Sequence, residues 1–141
     1  MSIETAYRLY FEGKIEDARR IVLKLIDRSP TAGAYFLYAL ILVRENSIDD
    51  ALWAVDKAIE LDQNHYEAWI LKSKILKSMG RLKSALDCLD TAFRIQLSKD
   101  DYVDYEIYIL KASIYLEMKD IARARRELKK AKEINPHDDD L

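Results

Sequence analysis

The stretch YEAWILKSKILKSMGRLKSALDCLDTA, residues 66–92, decides how the whole chain is read. Apolar residues recur through it at helical spacing until Met79-Gly80-Arg81 interrupts them, which predicts two short amphipathic helices joined by a tight turn. Small side chains stand where two helices folded back on each other would cross: Ser73 on the first, Ala85 and Ala92 on the second. Helices joined by so short a turn pack antiparallel, and Gly, Ala or Ser at the crossing lets their axes approach to roughly 8 Å. Leu76 and Leu89 are placed to fill the space on either side.

The same arrangement returns on both sides of this stretch. A small residue before each inner turn pairs with an alanine after it: Ala6 with Ala18, Ala39 with Ala51, Ser73 with Ala85, and Ala112 with Ala124. The separation is 12 each time, and successive second members lie 33, 34 and 39 residues apart. Three more positions repeat in step: Leu9, Leu42, Leu76 and Tyr115; Val22, Val55, Leu89 and Leu128; Leu25, Ala58, Ala92 and Ala131. A period shared by several independent positions marks a repeat array. Eight helices are predicted, over 2–12, 15–28, 32–45, 48–61, 66–79, 82–96, 100–118 and 121–134. They form one array over 1–136, with repeats at 1–31, 32–65, 66–99 and 100–136, followed by an acidic tail at 137–141.

Within 66–92, Trp69, Ser73, Leu76, Ala85 and Leu89 fall at the spacing W-x2-L-G-x2-Y…A-x3-F, and on that pattern the chain resembles the tetratricopeptide-repeat family, with four repeats. Lys72 stands for the usual Leu, and Ser73, Leu76 and Leu89 for Gly, Tyr and Phe. The resemblance implies an all-α, right-handed solenoid of antiparallel helix pairs whose first helices line a concave groove. It also implies a non-catalytic role as adaptor, scaffold or chaperone-like module that holds a protein or peptide there.

Two local features qualify the array. The five residues in excess of the period lie between Ala92 and Ala112, where Ser98-Lys99-Asp100-Asp101 resembles an N-cap with an acidic residue three later. The excess is therefore assigned mainly to an early start of the seventh helix, with a longer loop as the alternative. In the last helix Arg125 and Lys132 replace the apolar Leu86 and Phe93, or Leu52 and Ile59, of its counterparts, as expected where a repeat faces water.

The inner face of each first helix is expected to carry Ile3, Tyr7 and Tyr10; Phe36, Leu40 and Val43; Ile70, Lys74 and Lys77; and Ile109, Ser113 and Leu116. Family members that grip a C-terminal carboxylate need Lys, Asn and Arg where this chain has Ile3, Tyr7, Leu37, Glu67 and Leu71, so that clamp is not expected. The groove reads instead as apolar and aromatic, with Lys74 and Lys77 as a cationic edge, suiting an amphipathic helix or an apolar segment bearing acidic residues. Ordinary packing of these side chains against neighbouring helices stays open. So does homo-oligomerisation through the N-terminal helix by Tyr7, Tyr10 and Phe11, at an end read as having no polar cap.

Bulk composition narrows the remaining classes. Half of the 141 residues are apolar, and 23 Lys and Arg against 25 Asp and Glu leave a formal charge of −2, which argues for a folding protein that does not bind nucleic acid through overall charge. The six cations of 123–132 are a distant alternative for nucleic acid, but no aromatic residues interleave with them to stack bases. Residues 1–14 show neither a basic start nor an uninterrupted apolar run, so no secretory signal is read, and no stretch is long enough for a membrane span. Cys88 alone cannot form an internal disulfide and fits a reducing, cytoplasmic setting. His65 and His137 have no Cys or His at metal-ligand spacing, so neither metal nor cofactor is expected. Asp49-Asp50 and Asp100-Asp101 read as helix-start carboxylates, and no catalytic constellation is found.

Overall fold

The computed structural model describes residues 2–100 and 103–137. Among them are eight helices and no strand: α1 (Ile3–Phe11), α2 (Ile15–Arg28), α3 (Ala32–Arg44), α4 (Ile48–Leu61), α5 (Tyr66–Ser78), α6 (Leu82–Asp100), α7 (Tyr105–Glu117) and α8 (Ile121–Ile134).

The small residues singled out by the period form the seam of each hairpin. Ala6, Ala18, Ala39, Ala51 and Ala85 are wholly buried, and Ser73, Ala112 and Ala124 retain 1% exposure. Ser73 can occupy an apolar seam because its hydroxyl donates to the Ile70 carbonyl at 2.6 Å, inside its own helix. Val22, Val55 and Leu89 are also wholly buried, in the second-helix register that Leu128 continues half-buried.

All four hairpin turns close in the same way. Gly13, Asn46, Gly80 and Lys119 adopt left-handed backbone, with φ of 83°, 63°, 77° and 63°. In each, the next residue's N–H returns to a carbonyl one turn inside the helix: Lys14 to Leu9 at 2.9 Å, Ser47 to Leu42 at 2.8 Å, Arg81 to Leu76 and Asp120 to Tyr115, both at 2.9 Å. Those acceptors are one of the sequence columns already noted. Together with the bonds from Gly13 to Tyr10, Asn46 to Val43, Gly80 to Lys77 and Lys119 to Leu116, they make four Schellman caps.

Stacking follows a simple rule. Each helix contacts its chain neighbours, and α1–α3, α3–α5 and α5–α7 also touch, whereas α2, α4, α6 and α8 do not touch one another. The odd helices therefore crowd together on the inside of the bend and the even ones splay outside, which makes α1, α3, α5 and α7 the concave wall. Successive hairpins are also stitched by a recurring ion pair, Lys72 to Asp56 at 2.7 Å and Lys111 to Asp90 at 2.6 Å.

The structure corrects the expectation for the inserted residues. They lengthen α6, which runs to Asp100, and α7 starts at Tyr105 rather than at 100. The Ser98 hydroxyl does not cap a helix start; it donates to the Ile95 carbonyl at 2.8 Å within α6. Asp104 caps α7 by accepting from the Glu106 N–H at 3.0 Å, and the buried Gln96 fixes that cap by accepting the Asp104 N–H at 2.7 Å. Asp101, read as part of the earlier cap, lies outside the described residues, as does the tail beyond His137.

The N-terminal end also differs from expectation, because it does carry polar residues. The outward positions filled by Leu37 and Ile41 in α3, and by Leu71 and Ile75 in α5, are buried between hairpins. In α1 the same register places Glu4 and Arg8, both exposed. Arg125 and Lys132 are exposed in the corresponding outer face of α8.

Candidate functional site

Two adjoining hollows run along the concave wall. The first, of about 560 Å³, is lined by Tyr7, Tyr10 and Phe11 of α1, Phe36 and Leu40 of α3, and His65 and Glu67 at the start of α5. The second, of about 220 Å³, continues from Phe36, Leu40 and Glu67 over Tyr66, Ile70, Leu71 and Lys74 to Asp104 and Glu106 at the start of α7. The shared residues make one groove.

Local structure fixes the lining. Tyr7 is half-buried, and its hydroxyl donates to the Gly33 carbonyl at 3.3 Å, which ties α1 to the first turn of α3. Burial, and then the negative charge of Glu67, push its hydroxyl pKa up to about 12. Phe11 stands at the rim, 77% exposed, stacked with Tyr7 at 6.5 Å and edge-on to Tyr10 at 5.3 Å. Arg44 covers the Tyr10 ring, 5.6 Å from its centroid. His65 caps α5: its Nδ1 accepts the Ala68 N–H at 3.1 Å, and its ring lies 5.0 Å from that of Phe36.

Of the ten residues expected to line the groove, the structure brings together Tyr7, Tyr10, Phe36, Leu40, Ile70 and Lys74. Phe36 and Ile70, 8% and 5% exposed, form its floor rather than its open surface. Val43, Lys77, Ile109 and Leu116 line neither hollow; Val43 packs partly buried against the α3–α4 core, and Leu116 is 49% exposed.

The expected cationic edge is the main departure. Lys74 pairs with Glu106 at 3.3 Å and Lys77 with Glu117 at 3.4 Å, so both ammonium groups are matched by carboxylates from α7. Glu67, by contrast, forms no ion pair with any described residue. The sequence reading missed Phe11, His65, Tyr66, Asp104 and Glu106 in the lining, all at or beside helix ends, where a face-by-face count along the helix does not reach. It noted Glu67 and Leu71 only for the clamp residues that they are not.

Cys88 lies elsewhere, in the α5–α6 core at 5% exposure. Burial pushes its thiol up to about 11, with Lys72 pulling down and Asp56 and Asp87 pushing up. Among the described residues no group of three or more His, Cys, Asp or Glu is arranged to hold a metal ion, and no helix is long and apolar enough to cross a membrane. A further hollow of about 570 Å³ lies on the outer face of α8, between Arg125, Leu128, Lys129, Lys132, Glu133 and Pro136.

Fold and groove together define an α-solenoid of four stacked helical hairpins with an open inner wall. Tetratricopeptide-repeat profiles match residues 3–66, 66–99 and 105–138, and the chain belongs to the tetratricopeptide-repeat family. Comparison with curated protein sequences gives no match.

Solved structures share the fold. Pseudomonas aeruginosa pilF superposes with a TM-score of 0.84 at 20% identity, over 95% of this chain and 60% of its own. YrrB, described as a TPR protein with an unusual peptide-binding site, gives 0.79 at 18% identity, over 94% of this chain and 66% of its own. The TPR2B domain of yeast Sti1, solved in a complex designated pHsp70, gives 0.75 at 24% identity, over 79% of this chain and 91% of its own.

Proposed function

We propose that the protein is a non-catalytic interaction module that holds a peptide segment or helix of another protein against its concave wall. The observation that carries this reading is the continuity of the two hollows: one apolar floor runs from Tyr7 and Phe36 to Ile70 across three hairpins. A cleft that crosses repeat boundaries suits an elongated occupant. Of the similar structures, YrrB is described as having a peptide-binding site and the Sti1 domain was solved in a complex, and these support the reading by likeness of fold. The cytoplasmic setting suggested by the lone Cys88 belongs to the same proposal.

Association of two copies through α1 is the second reading, and Phe11 at 77% exposure favours it. The experiment uses Leu40→Arg, which places a charge in the groove at a half-buried position and leaves Phe36 and Ile70 in place. Proteins captured from lysate by the wild type and identified by mass spectrometry should be lost with Leu40→Arg while its helical circular dichroism is retained. If the variant retains every captured protein, the groove is not the binding site. Sedimentation of the wild type as a concentration-dependent dimer that Phe11→Ser abolishes would establish self-association instead.

A further inference from the structure

The charges of the groove are not balanced, and the imbalance has a sign. In the first hollow Glu67 is the sole carboxylate, facing Tyr7, Tyr10, Phe11 and Leu40. In the second it is joined by Asp104 and Glu106 against a single ammonium, Lys74, which Glu106 already engages. The Asp104 carboxylate is committed to the α7 cap. Glu67 alone is left exposed, at the boundary of both hollows, with no cation of its own among the described residues.

We infer that the groove selects a segment in which a Lys or Arg sits next to an aromatic or branched aliphatic anchor, with the cation on Glu67 and the anchor on the Tyr7–Phe36–Leu40 floor. The inference rests on the groove reading above and adds the polarity of the partner, opposite to that expected from the sequence. An occupant lying over the floor covers Glu67 and removes water from its carboxylate; burying an ionised carboxylate unpaired is strongly unfavourable, whereas a charge-assisted hydrogen bond compensates it. A segment with an acidic residue there is penalised twice, by repulsion from Glu67 and because Lys74, the one ammonium in the lining, must first leave Glu106. The other polar groups in reach do not alter the sign. The Tyr7 hydroxyl is engaged by Gly33, and Nδ1 of His65 is engaged by the Ala68 N–H. Arg44 sits over the Tyr10 ring and outside both linings.

The test is selection of random linear peptides displayed on phage against the immobilised wild-type protein, keeping binders that fail on Leu40→Arg. Synthetic versions of those peptides are then titrated against wild type, Glu67→Gln and Glu67→Lys, with circular dichroism confirming that each variant is folded. The expected result is enrichment of Lys or Arg beside an apolar anchor, with on the order of tenfold weaker binding to Glu67→Gln. A larger loss is expected with Glu67→Lys. Leu40-dependent peptides without a basic excess, or bound equally by Glu67→Gln, would overturn the polarity and leave the groove standing. If no selected peptide depends on Leu40, the groove falls, and the polarity with it.

Discussion

The odd-numbered helices contribute both to the seams inside the hairpins and to the wall that faces the groove, yet the two surfaces behave differently from repeat to repeat. At the seam the residues hardly change: Ala, Ala, Ser and Ala on the first helices, and Ala four times on the second. On the wall, the register of Tyr7 becomes Leu40, then Lys74, then Ser113. Close packing explains the contrast. Two helix axes at near-minimum separation leave room for one methyl group or hydroxyl, and no larger side chain meets that requirement. At the Tyr7 register the wall is only partly buried or exposed, so side chains of different size and polarity fit there.

Substitutions on the two surfaces should break this symmetry most clearly. Ala85→Leu forces extra methylenes into a fully buried seam and is expected to lower stability by about 1–3 kcal/mol in urea unfolding. Leu40→Arg on the wall can extend its stem along the apolar floor and keep its head in water, and is expected to cost less than about 1 kcal/mol in the same measurement. Equal losses would show that the wall is as tightly specified as the seam.

The turns sharpen the comparison at a smaller scale. Gly80 has left-handed backbone, and a Cβ added there meets nothing within 4 Å, so Gly80→Ala isolates the conformational cost, expected at about 1 kcal/mol. Lys119 occupies the equivalent position with a side chain, so Lys119→Gly should raise stability, by about 0.5–1 kcal/mol, in thermal unfolding. A loss with Lys119→Gly would mean that the four caps are not energetically alike.

Tyr7 gives the least perturbing probe. Its folded-state pKa, raised from 10 to about 12, exceeds that of the unfolded chain. Below about pH 10 both states hold the proton and there is no effect. Between about 10 and about 12 the unfolded state releases it first, so stability falls as pH rises through that interval. Tyr108 is also raised, by burial and then by Glu127, so difference absorbance at the phenolate band should show a late component to which Tyr7 contributes, and Glu67→Gln should bring the Tyr7 part of it earlier. If Tyr7→Phe leaves the late titration unchanged, the assignment is wrong.

The seam was legible in the sequence because period and residue size report it together: eight small residues at fixed spacing leave little choice of fold. The turns were half legible. Gly13 and Gly80 announce left-handed backbone, but Asn46 and Lys119 show it only once the repeat register is laid over them. The end of α6 was misread because a serine near a helix end can either cap the next helix or bond back within its own, and Ser98 does the second. On the wall, the helices carrying Tyr7, Phe36, Leu40 and Ile70 were foreseen, since helical spacing assigns faces. The neutralisation of Lys74 and Lys77 was not. Their partners lie on α7, more than thirty residues away in sequence, and no local pattern links them.

The Lys72–Asp56 and Lys111–Asp90 bridges bear on how such an array can grow. Stepping the aspartate register forward by one more hairpin leads from Asp56 and Asp90 to Lys129. A duplicate of the α5–α6 hairpin laid on α8 would therefore set the Lys72 ammonium against that of Lys129, where the native α4–α5 and α6–α7 junctions set ammonium against carboxylate. Lengthening the array by copying its own middle is opposed at that one position, and Lys129→Asp is the change that would remove the obstacle.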